Sequence, residues 1–185
     1  MRYIYLQPVG GTEEGILHYL CDRLGRVYTY PCRIAQDVRV PEDMYNPGRG
    51  QYNAAGIVEK IAEGMPPDAE KLLCVSDVDL YVPGTNFVFG VAIGNASVIS
   101  LVRLRPEYYG EKENDVPFKE RVLKEAVHEL GHTFGLAHCP NVKCVMHFSN
   151  FLEDTDIKSA DFCRVCSDKL VDMGYVRQRA PKDRS

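Results

Sequence analysis

Three histidines and a glutamate lie close together in the stretch HELGHTFGLAH. His128 and His132 are four residues apart, so on a helix their side chains leave the same face. Gly135 can take a positive φ that ends the helix and turns the chain back, which lets His138 join them. Three neutral imidazoles leave one zinc coordination position open, as catalytic sites do. Glu129 points elsewhere around the helix, where it can accept a proton from a metal-bound water and deliver it to a leaving amine.

Two pairs of cysteines follow directly. Four residues separate Cys139 from Cys144, two separate Cys163 from Cys166, and eighteen lie between the pairs. This spacing is typical of a structural zinc site, so we expect two zinc ions, one catalytic and one structural. The second pair also matches a redox motif, but that motif usually follows a strand, whereas this pair lies in a predicted helix. Because His138 precedes Cys139 in the chain, the closed site should fix the loop that carries the third histidine.

The remaining cysteines and one pair of carboxylates carry weaker signals. Cys21, Cys32 and Cys74 are scattered in apolar segments, and we interpret them as small buried hydrophobic residues. Asp77 and Asp79 follow a predicted strand, but two carboxylates alone fall short of a calcium or magnesium shell.

Composition and charge limit the classes of partner. A chain of 185 residues fits one domain, and its net charge of −4 offers no basic field for nucleic acid. The first residues, MRYIYLQPVGG, lack the continuous apolar run of a secretory signal. The apolar segment 87–102 is interrupted by glycines and polar residues, so it reads as strands rather than a membrane span. We therefore expect a cytoplasmic monomer with no membrane or nucleic-acid partner.

Hydrophobic periodicity predicts an alternating order of strands and helices in the first part of the chain. The predicted elements are a strand at 2–6, a helix at 12–25, a strand at 27–30, a helix at 53–63 and a strand at 72–75. This β-α-β-α-β order favours a mostly parallel sheet covered by helices.

The second part of the chain adds two strands and two helices. Strands are predicted at 87–92 and 97–104, and one of them can run antiparallel at the sheet edge, where an extended peptide could pair with it. An active-site helix is predicted at about 117–134, and a last helix at 157–173. We expect a single domain over residues 1–176, with a zinc-stapled C-terminal part at 135–176 and a flexible tail at 177–185.

The histidine stretch resembles the extended zinc signature of the metzincin metalloproteases. Together with the cysteine pairs it looks like the archaemetzincin family, a resemblance that covers about residues 122 to 166. It implies an α/β fold bordering on α+β, with a mixed, mostly parallel five-stranded sheet, an antiparallel edge strand and packed helices. It also implies that Met146 forms an apolar floor beneath the zinc. The implied metal ligands are His128, His132 and His138 for the catalytic zinc, and Cys139, Cys144, Cys163 and Cys166 for the structural zinc.

One departure from the metzincin pattern concerns the oxyanion. Some metzincins have a tyrosine two residues after that methionine, whereas this chain has Phe148. The oxyanion would then have to be stabilised by zinc alone or by a hydroxyl from Tyr108 or Tyr109. The leading hypothesis is a zinc-dependent peptidase that acts on peptides or proteins through a metal-bound water activated by Glu129. The alternative is a zinc-binding peptide-recognition module of the same fold with little or no hydrolytic activity.

Overall fold

Alternating apolar and polar segments give strands and helices throughout residues 1–176, the part of the chain that the computed structural model describes. The tail predicted at 177–185 lies outside these residues. The strands are β1 (Tyr3–Val9), β2 (Cys32–Ile34), β3 (Tyr45–Asn46), β4 (Gln51–Asn53), β5 (Ala69–Ser76), β6 (Leu80–Tyr81), β7 (Gly90–Ile93) and β8 (Ala96–Ser100). The α-helices are α1 (Glu14–Val27), α2 (Ala54–Ala62), α3 (Asp115–Thr133), α4 (Leu152–Ile157) and α5 (Arg164–Asp172).

The main sheet has five strands in the order β2-β1-β5-β8-β7. All neighbouring pairs are parallel except β7 and β8, which are antiparallel, so β7 forms the antiparallel edge. The apolar run Leu72–Val75 lies in the central strand β5 and is almost completely buried, as expected where helices cover both faces. The predicted mixed, mostly parallel sheet with an antiparallel edge strand is thereby confirmed.

Two apolar cores lie on opposite faces of this sheet. The larger core packs α1 and α3 against one face, and the smaller core packs α2 against the other. A small second sheet, in the order β3-β4-β6, adjoins the smaller core. Within residues 1–176, no helix combines the length and the apolar character needed to cross a membrane.

The predicted second strand at 27–30 is wrong. Helix α1 passes through Gly25 and ends at Val27, and the strand begins only at Cys32. Tyr28 instead turns into the larger core, where its hydroxyl donates to the carbonyl of Val127 at 3.0 Å. A buried tyrosine thus anchors the connection to the active-site helix, a tertiary contact that periodicity could not reveal.

The single last helix predicted at 157–173 is also wrong, because the chain forms α4 and α5 with an irregular connection between them. Lys158 lies in this connection and is fully buried in an ion pair. The amide of Ser159 donates to the carbonyl of Lys143, which further holds the chain out of helical conformation. As a result, Cys163 is the residue preceding α5 and Cys166 lies in its first turn.

Two of the three scattered cysteines are not simple core residues. Cys21 on α1 and Cys32 on β2 form a disulfide, with their Cα atoms 5.2 Å apart. The helix packs against the neighbouring strand, and this packing brings together two thiols that no sequence pattern marks as a pair. Cys74, in contrast, is fully buried in β5, as predicted.

Candidate functional site

Helix α3 carries two of the predicted ligands and the predicted base. The side chain of Asn114 accepts a hydrogen bond from the amide of Val116 at 3.2 Å, which caps the start of the helix. The helix ends at Thr133, and Gly135, two residues later, has a φ of 91° that allows the chain to reverse. The amides of Gly135 and Leu136 then donate to the carbonyls of His132 and Gly131. The predicted role of Gly135 is confirmed.

The three histidines converge where the chain reverses. Their nearest ring nitrogens all lie within 4.8 Å of one another. The Nδ1 atom of His128 is 2.7 Å from the carbonyl oxygen of Val145, and that of His132 is 2.8 Å from the carbonyl oxygen of Leu136. Because a carbonyl oxygen only accepts hydrogen bonds, each Nδ1 carries the proton and each Nε2 keeps a lone pair.

This arrangement fits a metal ion. The two Nε2 atoms of His128 and His132 face each other at 3.0 Å with no proton between them. A tetrahedral zinc with bonds of about 2.0–2.1 Å would hold two nitrogens roughly 3.3 Å apart. Burial lowers the pKa of His128 to about 3 and also lowers the pKa values of His132 and His138. The imidazoles therefore stay neutral at physiological pH, which is the form that binds metal.

Glu129 lies beside the histidines and is only 5% exposed. Burial raises its pKa well above the ordinary value, the charge of Glu125 adds to this rise, and the ammonium of Lys158 opposes it. A carboxylate with a raised pKa is a stronger proton acceptor.

A cavity of 670 Å³ contains both Glu129 and the histidines. One wall is β7 with the preceding segment, and the other is α3 with the loop that follows Met146. The lining is mostly apolar and includes Phe87, Phe89, Val91, Phe148 and Phe151. Such a cleft, with a few convergent polar groups, is typical of a ligand site.

The structure does not supply a tyrosine hydroxyl at this cavity. Tyr108 and Tyr109 do not line it, and the hydroxyl of Tyr109 donates to the carbonyl of Arg103. The ring of Phe148 packs against His138 with a centroid separation of 4.8 Å. The suggestion that Tyr108 or Tyr109 assists the oxyanion is therefore wrong for this conformation.

Met146 lies fully buried beneath the active-site helix. A side chain at Gly131 would overlap its sulfur, so the helix can approach the methionine only because a glycine stands there. The carbonyl of Met146 accepts a hydrogen bond from the amide of Cys139 at 2.9 Å. Met146 thus packs closely against the helix that carries His128 and His132, and its backbone carbonyl contacts the cysteine segment.

The four predicted cysteines form the second cluster, with all sulfur atoms within 4.8 Å of one another. The sulfurs of Cys139 and Cys163 are 3.8 Å apart, close to the roughly 3.8 Å that two Zn–S bonds of about 2.3 Å give in a tetrahedron. Burial raises the pKa values of Cys144 and Cys166. Burial also acts on Cys163, but the amide of Cys166 and the surrounding thiols outweigh it and lower the pKa of Cys163 to about 7.

Asp77 and Asp79 form ion pairs with arginine side chains. Asp79 forms a bidentate pair with Arg103, with both distances 2.7 Å, and Asp77 pairs with Arg105.

Sequence reasoning missed a buried ion pair beneath the histidines. Lys158 and Glu125 are 2.9 Å apart and almost completely inaccessible to solvent. Thr155 donates a further hydrogen bond to Glu125, and the ammonium of Lys158 lies 3.5 Å from the carbonyl oxygen of His147. Glu125 precedes Glu129 by one helical turn, and this spacing only weakly indicates that Glu125 lies near the site. No sequence pattern identifies Lys158 as its partner.

The family model of peptidase family M54 matches residues 22–172 of this chain. The archaemetzincin of Pyrococcus furiosus is 58% identical over 190 residues, with 95% of this chain and 97% of that protein covered. This chain belongs to the archaemetzincin family. It is therefore a zinc metallopeptidase, as the motif resemblance implied. The archaemetzincin of Methanocaldococcus jannaschii is 43% identical over 173 residues, covering 92% of this chain and 94% of the relative.

Solved structures of the family have the same fold. The archaemetzincin of Archaeoglobus fulgidus, solved in complex with malonate, has a TM-score of 0.79 and 37% identity. A zinc-dependent peptidase from Methanocorpusculum labreanum has a TM-score of 0.83 and 30% identity. Each comparison covers 90% of this chain and 99% of the solved one. The archaemetzincin architecture thus extends over nearly the whole described chain.

Proposed function

We propose that this member of the archaemetzincin family hydrolyses peptide bonds at the histidine cluster. His128, His132 and His138 would hold the catalytic zinc, and Glu129 would act as general base. The observation that carries this proposal is the convergence of three imidazoles, with ligand atoms within 4.8 Å of one another, in the cavity that Glu129 also lines. Zinc, when bound, would lower the pKa of a water molecule and polarise the substrate carbonyl.

Glu129 would move the proton during the reaction. Its buried carboxylate would accept a proton from the attacking water and deliver it to the leaving nitrogen of the scissile peptide. The raised pKa of Glu129 suits the first step, because a carboxylate that is a very weak base would not take a proton from water at neutral pH. The edge strand β7 offers unpaired backbone groups along the cleft, where an extended peptide could add as a further strand.

The four cysteines would hold a second, structural zinc. All four are free thiols, and two of them, Cys144 and Cys166, are buried. A closed Cys₄ site has no open position, so its contribution would be to folding rather than to the reaction. It would fix the segment from Cys139 to Met146, whose start adjoins His138.

A peptide-recognition module with little hydrolytic activity is the second candidate. The observation that favours it is Phe148, which carries no hydroxyl and packs on His138. The cavity is mostly apolar and its edge strand could pair with an extended peptide, so it could bind a peptide without cleaving it. Such a module would bind peptides without turning them over.

Cleavage of a mixed peptide library, including free N-termini, separates the two functions. We expect the zinc-loaded protein to cleave it and Glu129→Ala to be slower by about 10²–10⁴-fold. Zinc content should be unchanged, because Glu129 is not one of the clustered ligands, and this measurement serves as the control. Equal cleavage by both proteins would contradict the role of Glu129 as general base, and no cleavage by either with peptide binding retained would favour the recognition module.

We also propose that the protein acts as a cytoplasmic monomer. Four clustered free thiols favour a reducing compartment, whereas the Cys21–Cys32 disulfide weighs against one. Light scattering of the purified protein tests the monomer, and a mass that depends on concentration would contradict it.

A further inference from the structure

Glu129 lies directly against the edge strand at Gly90. A Cβ atom placed on Gly90 would be 2.7 Å from Cγ and 2.8 Å from Oε1 of Glu129, closer than side chains approach one another. The side chain of the proposed base therefore occupies the space that any other residue at position 90 would need. Gly90 is not among the glycines with positive φ, so its own backbone conformation does not require glycine, but the carbonyl oxygen of Val98 also lies 2.7 Å from the added atom.

No polar partner holds the Glu129 carboxylate in place. Within residues 1–176, it forms neither a hydrogen bond nor an ion pair, whereas Glu125, one turn earlier, is fixed by Lys158 and Thr155. A buried carboxylate without such bonds takes its position from packing. The contact with Gly90 supplies that packing on the side of the cleft wall, where β7 pairs with β8 through Gly90 and Ile99.

We propose that Gly90 is the positioning residue for Glu129, because its missing side chain lets the base lie flat against the edge strand within reach of the histidine cluster. The inference rests on the proposed role of Glu129 as general base. On this proposal, the position of the Glu129 carboxylate during proton transfer is set by strand β7 as well as by helix α3.

A methyl group at position 90 would displace the base but not the metal ligands. The histidines are held by the backbone of α3 and by the carbonyls of Val145 and Leu136, whereas the three atoms nearest to the added methyl belong to Glu129 and Val98. Misplacing a reacting group by about 1 Å can cost roughly 10²-fold in rate. We therefore expect Gly90→Ala to lower kcat about 10²-fold, with KM changed less than about threefold and zinc content unchanged.

Gly25→Ala is the matched control, because the same added methyl would there make only an ordinary contact, 3.9 Å from the amide nitrogen of Cys32, and Gly25 does not line the cavity. It should keep kcat within about twofold of the unsubstituted protein. A kcat for Gly90→Ala within twofold of the unsubstituted protein would overturn the proposal, and so would zinc loss in that variant.

A double-mutant cycle on thermal unfolding tests the contact without using activity. The added methyl also meets the carbonyl oxygen of Val98, at 2.7 Å, but that clash is the same whether or not Glu129 is present. Gly90→Ala should therefore lower Tm at least twice as much in the unsubstituted protein as in the Glu129→Ala background. Equal shifts in Tm would overturn the proposal.

The cycle also separates this inference from the proposed function. If the unsubstituted protein cleaves no peptide, the role of Glu129 as base fails, yet the Tm coupling still reports whether Gly90 positions that side chain. If Gly90→Ala does not fold, folding of the Gly90→Ala/Glu129→Ala double variant would support the contact. Failure of the double variant to fold would overturn it.

Discussion

The histidine cluster and the cysteine cluster adjoin in the chain but are held in different ways. His128 and His132 come from one helix, whose own backbone ladder sets their separation. The cysteines come from a loop and from the start of α5, and only tertiary packing brings the two pairs together. One cluster opens into a 670 Å³ cavity, whereas the cysteines do not line it.

This difference gives the two clusters an unequal dependence on each other. The carbonyl of Val145 orients His128, and the carbonyl of Met146 binds the amide of Cys139, so the histidine site uses backbone that the cysteines enclose. Within residues 1–176, no hydrogen bond joins the side chain of His128, His132 or His138 to a cysteine. Loss of the cysteine site should therefore disturb the histidine site more than the reverse.

The largest expected effect comes from Cys163→Ser. A structural zinc contributes apparent binding free energies of about 10–16 kcal/mol, so losing one ligand should greatly destabilise the C-terminal part. We expect the affinity of the histidine site for zinc also to fall about 10–100-fold, as when groups that orient ligands are lost. Metal analysis after dialysis measures both sites. His132→Ala is the reciprocal control and should keep the cysteine-bound zinc, while full occupancy of the histidine site in Cys163→Ser would contradict the unequal dependence.

Lys158→Met should have the next largest effect. It leaves Glu125 buried without its cation, and breaking a buried ion pair from one side costs about 3–5 kcal/mol in the free energy of unfolding. Lys158→Met combined with Glu125→Leu removes both charges and should cost less. Urea unfolding of the three proteins measures this difference. A double variant less stable than Lys158→Met would refute the ion-pair explanation.

Removing the disulfide should have a smaller effect, confined to the opposite side of the molecule. The bond closes a sequence separation of 11 residues, for which chain entropy predicts about 2–3 kcal/mol. Because β2 is the sheet edge opposite β7, replacing Cys21 and Cys32 with serine should leave the zinc content of both clusters intact. Thermal unfolding and metal analysis test both statements, and zinc loss would show that the disulfide supports the clusters.

The smallest effect concerns a cysteine that belongs to neither cluster. Burial raises the pKa of Cys74 to about 12 from an unfolded value of 9.0, so its thiol stabilises the fold fully below pH 9. This stability falls by roughly 1.4 kcal/mol per pH unit as pH rises from 9 toward 12. Between pH 8 and 10 the unsubstituted protein should lose about 1.4 kcal/mol more than Cys74→Ala. Parallel pH profiles of the two proteins would contradict this.

Local spacing was enough to predict that the histidines cluster and that the main sheet is mostly parallel with an antiparallel strand at its edge. His128, His132 and Gly135 depend on helix periodicity and on the conformational freedom of glycine, which are properties of neighbouring residues. The split between α4 and α5 could not be predicted, because Lys158 leaves the helix to pair with a glutamate on a distant element. The disulfide was missed for the same reason.

The sequence by itself determined which residues could bind metal, since the types of the ligand side chains and their short spacing along the chain can both be read from it. Only the tertiary structure decided what surrounds them: the cation that neutralises Glu125, the wall at Gly90 against which Glu129 lies, and the contact between Cys21 and Cys32. These contacts join residues far apart in the chain. Their partners become known only once the packing of helices on the sheet has fixed which surfaces meet.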